Sequence, residues 1–315
     1  MGSFLTPVMV RTALDVGLIY AIVALSLFIS FSILNICDLS TDGCFTLGCA
    51  VAAVVTMAGH PLLAIPAAMA AGVLSGSVTA LLQTKLGVPS ILAGIIVNTG
   101  LYTVNLGVMG FSSNISIFGT DTIFSLWGKL FENTSLSEWS RSILLLLLIV
   151  LICLLLNWFL KTRIGLSIRA TGDSMDMVRA SSIDPSFMII VGLCCSNALT
   201  GLAGALFANY NKSADINLGT GMVTIALAAL IIGETLFGKR RMPYRIAGVV
   251  IGSCLYRFMI SIALRLNAPT EAFKLVSALI VAIAIAAPEA KRALALHRRK
   301  KAAMRRRKER GGSAC

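Results

Sequence analysis

Apolar residues fall along this chain in long continuous runs, at about 12–34, 43–60, 61–84, 89–110, 142–160, 187–208, 219–237, 245–266 and 271–288. Each is roughly 18–24 residues long, the length a helix needs to cross ~30 Å of hydrocarbon. Strands of an outer-membrane barrel would instead alternate over about 10 residues. The pattern predicts an all-α fold, a polytopic membrane helix bundle. The notation that fits best is about eight full spans plus one broken or re-entrant helix.

Positive charge assigns the sides. Segment 161–186 carries Lys161, Arg163, Arg169 and Arg179, and segment 238–245 carries Lys239, Arg240, Arg241 and Arg245. Both read as cytoplasmic, so 111–141, 209–218 and 266–270 face outward. Loop 35–42 holds Asp38 and Asp42 without a basic residue, which points it outward, while Lys85 places 85–88 inside. Run 43–60 must then enter and leave on one side, as a broken helix does, with both termini cytoplasmic. Gly43, Gly48 and His60-Pro61 suit such a break. The alternative is nine plain spans with the N-terminal side outside.

Composition agrees with a membrane protein. Hydrophobic residues make up 57% of the 315 residues and charged residues 13%, half the usual share of a soluble domain, about 25%. The net charge of +13 does not indicate nucleic acid. Eleven of the 27 basic residues lie in 290–315 against one acid, Glu309, so the rest of the chain is near neutral. The division expected is a permease domain over 1–290 and a basic cytoplasmic tail over 291–315, with anionic lipid as the tail's partner. No cleavable signal is evident, because run 12–34 is too long for one.

Eight cysteines and two histidines offer no metal-ligand spacing, and the cysteines read as small apolar packers. The small-residue pairs Gly72/Gly76 and Gly248/Gly252 and the row Ser196, Thr200, Gly204 suit close helix contacts, within one bundle or between two copies.

Polar residues at membrane depth carry more information, since each needs a partner or a water-filled cavity. Asn98, Tyr102 and Asn105 recur at i, i+4 and i+7 and form one stripe on a helix face. Asn197 also lies at depth. With Asp42, these residues are candidates for the substrate pathway. Glu234 is expected to pair with Arg257 or a loop arginine. Two segments look like broken-helix starts: Asp38-Leu-Ser-Thr-Asp42-Gly43 through Gly48, and Asp215-Ile-Asn217-Leu-Gly219-Thr-Gly221. Paired interruptions in the two halves of a chain point to a transport site.

Segment 161–186 predicts a short helix capped by Asp173 or Ser174 and ending near Ser181, with Asp184-Pro185 starting the next span. Such an element suits a membrane domain that receives force from a soluble motor. The chain has no G-x-x-x-x-G-K-[ST] segment, so no P-loop is available to cradle ATP.

At these residues the sequence resembles the permease subunits of bacterial ABC importers, the branched-chain amino acid and ribose permease group, including a tryptophan/tyrosine-type uptake subgroup. The resembling stretches are Gly17 to Leu25, Asp38 to Gly48, Arg169-Ala-Thr-Gly-Asp173, Ser196 to Gly204, Ala214 to Met222 and Ile231-Ile-Gly-Glu-Thr235. Cys44 and Cys49 depart mildly from the group's pattern, and the basic tail exceeds it. The resemblance implies a multi-pass inner-membrane permease, not itself an enzyme and without a cofactor, working as a homodimer. Its implied partners are cytoplasmic ATP-binding subunits and an extracytoplasmic solute-binding protein. Arg169, Asp173, Met175, Met177 and Arg179 are the expected coupling residues, and an amino acid or similar small solute the cargo. An ion-coupled secondary transporter is the rival. It would want acidic groups at mid-membrane, whereas Asp15, Asp42 and Glu234 sit near the ends of their runs.

Overall fold

The computed structural model describes residues 7–129, 139–238, 241–265 and 282. The expected span 271–288, apart from 282, and the basic tail 291–315 lie outside the described residues. Within them the chain is a helix bundle with one small hairpin. The helices are α1 (Pro7–Leu27, continuing as a π-helical turn Phe28–Ile33), α2 (Thr41–Met57), α3 (Pro61–Thr84), α4 (Ser90–Val108), α5 (Ile123–Lys129), α6 (Ser140–Phe159), α7 (Arg163–Asp173), α8 (Met175–Ala180), α9 (Pro185–Asn211), α10 (Met222–Phe237) and α11 (Met242–Arg265). Strands β1 (Asn114–Ser116) and β2 (Ser213–Asp215) pair antiparallel, with Ile115 opposite Ala214. Among the described residues, six helices are long and apolar enough to span a membrane. Helices α2 and α10 are shorter.

The centre of the bundle is α1 and α9, the most buried of the long helices. Lipid tails are as apolar as leucine, so tight packing here comes from small residues that let backbones approach. A Cβ on Gly72 of α3 would strike the Asn197 carbonyl of α9, and one on Gly252 of α11 would strike the Ala229 carbonyl of α10. Ser26 of α1 bonds Ser196 at 2.9 Å and Thr200 at 2.7 Å. All three small-residue rows therefore serve packing inside this bundle. The outer helices α4 and α6 present leucine, isoleucine and valine outward, as at Ile91, Ile95, Leu147, Leu151 and Leu154.

The two faces of the bundle follow from contacts. The hairpin face holds β1 and β2, the end of α9 and the start of α6. The opposite face holds α7, α8 and the basic segment 161–186. The start of α1 lies at the hairpin face, because Asp15 accepts from Ser142 of α6 and from Tyr210 of α9. Its end lies at the α7 face, where a Cβ on Gly172 would meet the Ile33 carbonyl. This corrects the expectation that α1 begins on the side of segment 161–186. Loop 35–42 is not an outward acidic loop either. It leaves the α7 face and climbs into the bundle, where Asp38 is 1% exposed and accepts from Asn197 Nδ2 at 2.8 Å. Asn197 lies near the midpoint of α9. Helix α2 then starts at mid-bundle and runs to the hairpin face. Two acids without a basic neighbour are satisfied here by internal donors rather than by water, which the charge rule does not see.

Segment 161–186 forms two helices rather than one. Thr162 caps α7 by accepting from Gly165 N, Ser174 caps α8 by accepting from Met177 N, and Asp184 caps α9 by accepting from Ser186 N. Glu234 pairs with Arg245, an arginine of the expected loop 238–245 that the structure places in the first turn of α11. The two lie 2.6 Å apart, and Ser32 bonds both at 2.6 and 2.7 Å. Arg257 instead stacks over the Tyr20 ring, 5.5 Å from its centroid.

Candidate functional site

The two interrupted segments meet. Helix α2 rises from mid-bundle toward the hairpin face, and α10 descends from residues 216–221 toward the α7 face. Their N-terminal ends face one another. The first amides of a helix have no intrahelical acceptor, and their positive end favours an anion. Asp42, in the first turn of α2, fills that need for α10. Its two oxygens accept from Val223 N at 2.8 Å and Gly221 N at 3.0 Å. One turn further on, Thr46 Oγ1 accepts from Gly219 N at 3.1 Å and donates to the Asp42 carbonyl at 3.2 Å. Gly219 has to be glycine, since a Cβ there would strike that same carbonyl. Gly221 adopts φ +85°, a backbone conformation glycine reaches without steric cost.

Beside this junction runs α4. Its polar stripe closes a cavity of about 330 Å³ lined by Asp42, Gly43, Thr46, Asn98, Thr99, Tyr102, Asn105, Ile216, Asn217 and Thr220. Asn105 donates to the Gly43 carbonyl at 3.2 Å, and Tyr102 is 51% exposed. Asp42, Asn98, Tyr102 and Asn105 are thus brought together. Asn197 is not. It is fully buried, and its Nδ2 donates to Asp38 and to the Leu193 carbonyl. Thr46, Thr99, Asn217 and Thr220 complete the lining beyond the four residues expected from the sequence. Thr46 follows Asp42 by one helical turn, and Asn217 and Thr220 lie inside the second interrupted segment, so the signal was present.

The expected coupling residues sit apart, on the opposite face. Asp173 ends α7, and Met175, Met177 and Arg179 lie on α8. All four are exposed, Met177 at 72%, and Arg169 is half-buried. Val178 alone anchors α8 to the body. Among the described residues no group of three or more His, Cys, Asp or Glu side chains is placed to hold a metal.

A bundle with inverted, interrupted helices meeting at a polar cavity defines a membrane transport protein. Comparison with known proteins is more specific. The family described as "Branched-chain amino acid transport system / permease component" matches residues 9–285, and the chain belongs to it. A tyrosine transport system permease protein from Clostridioides difficile (strain R20291) is 34% identical over 267 residues, covering 84% of this chain and 86% of the relative. The ribose import permease protein RbsC of Escherichia coli (strain K12) is 30% identical over 233 residues, covering 70% and 67%. The autoinducer 2 import system permease protein LsrC of Yersinia enterocolitica is 28% identical over 224 residues, covering 69% and 55%. No solved structure matches. The chain is a multi-pass inner-membrane permease subunit of a small-solute importer, and not an enzyme.

Proposed function

We propose that this permease is half of a homodimeric core that passes a small organic solute, an amino acid or a similar polar molecule, through the cavity at the α2–α10 junction. The observation that carries the reading is the convergence of Asp42, of Asn98, Tyr102 and Asn105, and of Asn217 and Thr220, from two interrupted regions and one striped helix, on a polar cavity at mid-bundle. The names of the relatives, for tyrosine, ribose and autoinducer 2, support small polar cargo.

In this reading the hairpin face is extracytoplasmic and receives a solute-binding protein. The α7 face is cytoplasmic and docks separate ATP-binding subunits. Exposed Met175 and Met177 offer adaptable apolar contact, and Arg169, Asp173 and Arg179 frame it. The spans are the six long helices, the shorter α2 and α10, and the apolar run 271–288, with the start of α1 outside and the basic tail 291–315 inside against anionic lipid. Residues 1–290 form the permease domain. The runner-up, ion coupling, draws on Asp42, which starts α2 as the sequence suggested but does so at mid-bundle, and on the neighbouring Asp38. Both are already committed to protein donors.

Uptake in cells carrying Asn98→Leu or Asp42→Ala tests the pathway. Both variants should insert normally and lose transport. Wild-type uptake by both would reduce the stripe to helix packing.

A further inference from the structure

The cavity lining has a one-sided chemistry. Among the described residues its one charged member is the Asp42 carboxylate, and no described Lys, Arg or His contributes to it. Asn105 is 1% exposed, and its Nδ2 is fixed by the Gly43 carbonyl. Only that nitrogen can donate, so the amide orientation is determined and Oδ1 is the free end. Asn105 Oδ1 is buried without a hydrogen-bond partner, as are Asn157, Asn197 and Asn209 Oδ1, but of these four Asn105 alone belongs to the cavity lining. An unmet buried acceptor is costly and calls for a donor. Asp42 uses one acceptor site on each oxygen for α10, and a carboxylate offers about four such sites. Asn98 makes no hydrogen bond to another described residue, while its Oδ1 faces Gly43 at the cavity wall.

We propose that this cavity is a donor-reading site, selecting solutes by a primary ammonium group or, more weakly, by clustered hydroxyls, with Asn105 Oδ1 and Asp42 as the determinants. This rests on the reading of the cavity as the solute path and adds to it a substrate class. An ammonium brings three donors and a positive charge to two acceptors, one of them anionic, in surroundings of low dielectric, where charge-assisted bonds are strongest. A solute that presents only a carboxylate meets Asp42 as a like charge with no cation among the described lining residues to offset it. A zwitterionic amino acid must enter amine-first, with its carboxylate held away from Asp42.

The test is binding to the full-length permease in lipid nanodiscs, without a binding protein, so that selectivity read by another subunit does not enter. Three probes share one ring: tyramine, L-tyrosine and 3-(4-hydroxyphenyl)propionate, followed by saturation-transfer NMR. Tyramine and L-tyrosine are expected to bind and the deaminated acid not. Asn105→Leu should weaken tyramine roughly tenfold, as loss of a charge-assisted bond does. Asn98→Asp, at a side chain that carries no described hydrogen bond, should strengthen tyramine and leave the fold intact, which keeps the test decisive if Asn105→Leu does not fold. Equal binding of acid and amine, or tyramine binding unchanged in Asn98→Asp, overturns the inference while the solute path stands. If no probe is sensitive to any substitution in the lining, both the inference and the path fall.

Discussion

The Asp42 carboxylate accepts the Val223 amide at 2.8 Å, so one side chain at the start of α2 closes the open N-terminal end of α10. The residues lie in opposite halves of the chain, and their bond joins the two interrupted helices where the polar cavity forms. Asp42→Ala should lower stability by about 1–2 kcal/mol, the usual cost of losing a helix N-cap acceptor, and should abolish uptake. Asp42→Asn, which keeps an acceptor, should recover most of the stability but little transport. Thermal unfolding in detergent, paired with uptake, separates the two effects.

At the other face, Glu234, Arg245 and Ser32 tie α10, α11 and the π-helical end of α1 together. The two charged side chains are 14% and 22% exposed, so removing one leaves the other largely out of water. Arg245→Ala should cost on the order of 3 kcal/mol. Arg245→Ala with Glu234→Ala should cost less than the sum of the singles. A double-mutant cycle on unfolding midpoints measures this, and additive losses would mean that the pair is not coupled.

The docking role of α8 predicts that Met177→Asp with Arg179→Glu reduces co-purification of the ATP-binding subunit without affecting permease insertion. Reversing an exposed charge and adding another within an apolar contact both disfavour association. Unchanged association, together with unchanged solute-stimulated ATP hydrolysis, would remove α8 from the interface.

Sidedness is tested by cysteine labelling from outside intact cells. Val8→Cys and Ser116→Cys should react with an impermeant reagent, and Ser182→Cys should not. Val8 and Ser116 are exposed at the hairpin face and Ser182 is exposed on the basic face. Labelling of Ser182→Cys alone would invert the topology.

Much of this arrangement is legible in residue spacing. The i, i+4, i+7 stripe of Asn98, Tyr102 and Asn105 is a property of helical geometry alone, and it survives into the cavity wall. Glycine and acid punctuation marked both interrupted helices. What spacing does not encode is the partner. Asn197 gives the same signal as Asn105, a lone amide at depth, and both keep a buried Oδ1 without a partner, yet Asn197 Nδ2 is tied to Asp38 inside the bundle and only Asn105 reaches the cavity wall. Asp38 and Asp42 look like a hydrated outward loop because the donors that hold them inside the bundle, Asn197 and Gly221, lie some 160 to 180 residues away. Helix α7 carries no span signal because it is amphipathic and polar overall, and its buried Ile168 and Thr171 gain meaning only once it packs on the bundle.

The central claim, that solute passes the α2–α10 junction beside α4, is tested most directly at residue 98. Asn98→Cys should retain measurable uptake, lose it on exposure to an impermeant thiol reagent, and be protected by excess transported solute, while wild type under the same reagent keeps its activity. Modification of residue 98 that leaves uptake intact, or inhibition that solute does not slow, would contradict the account.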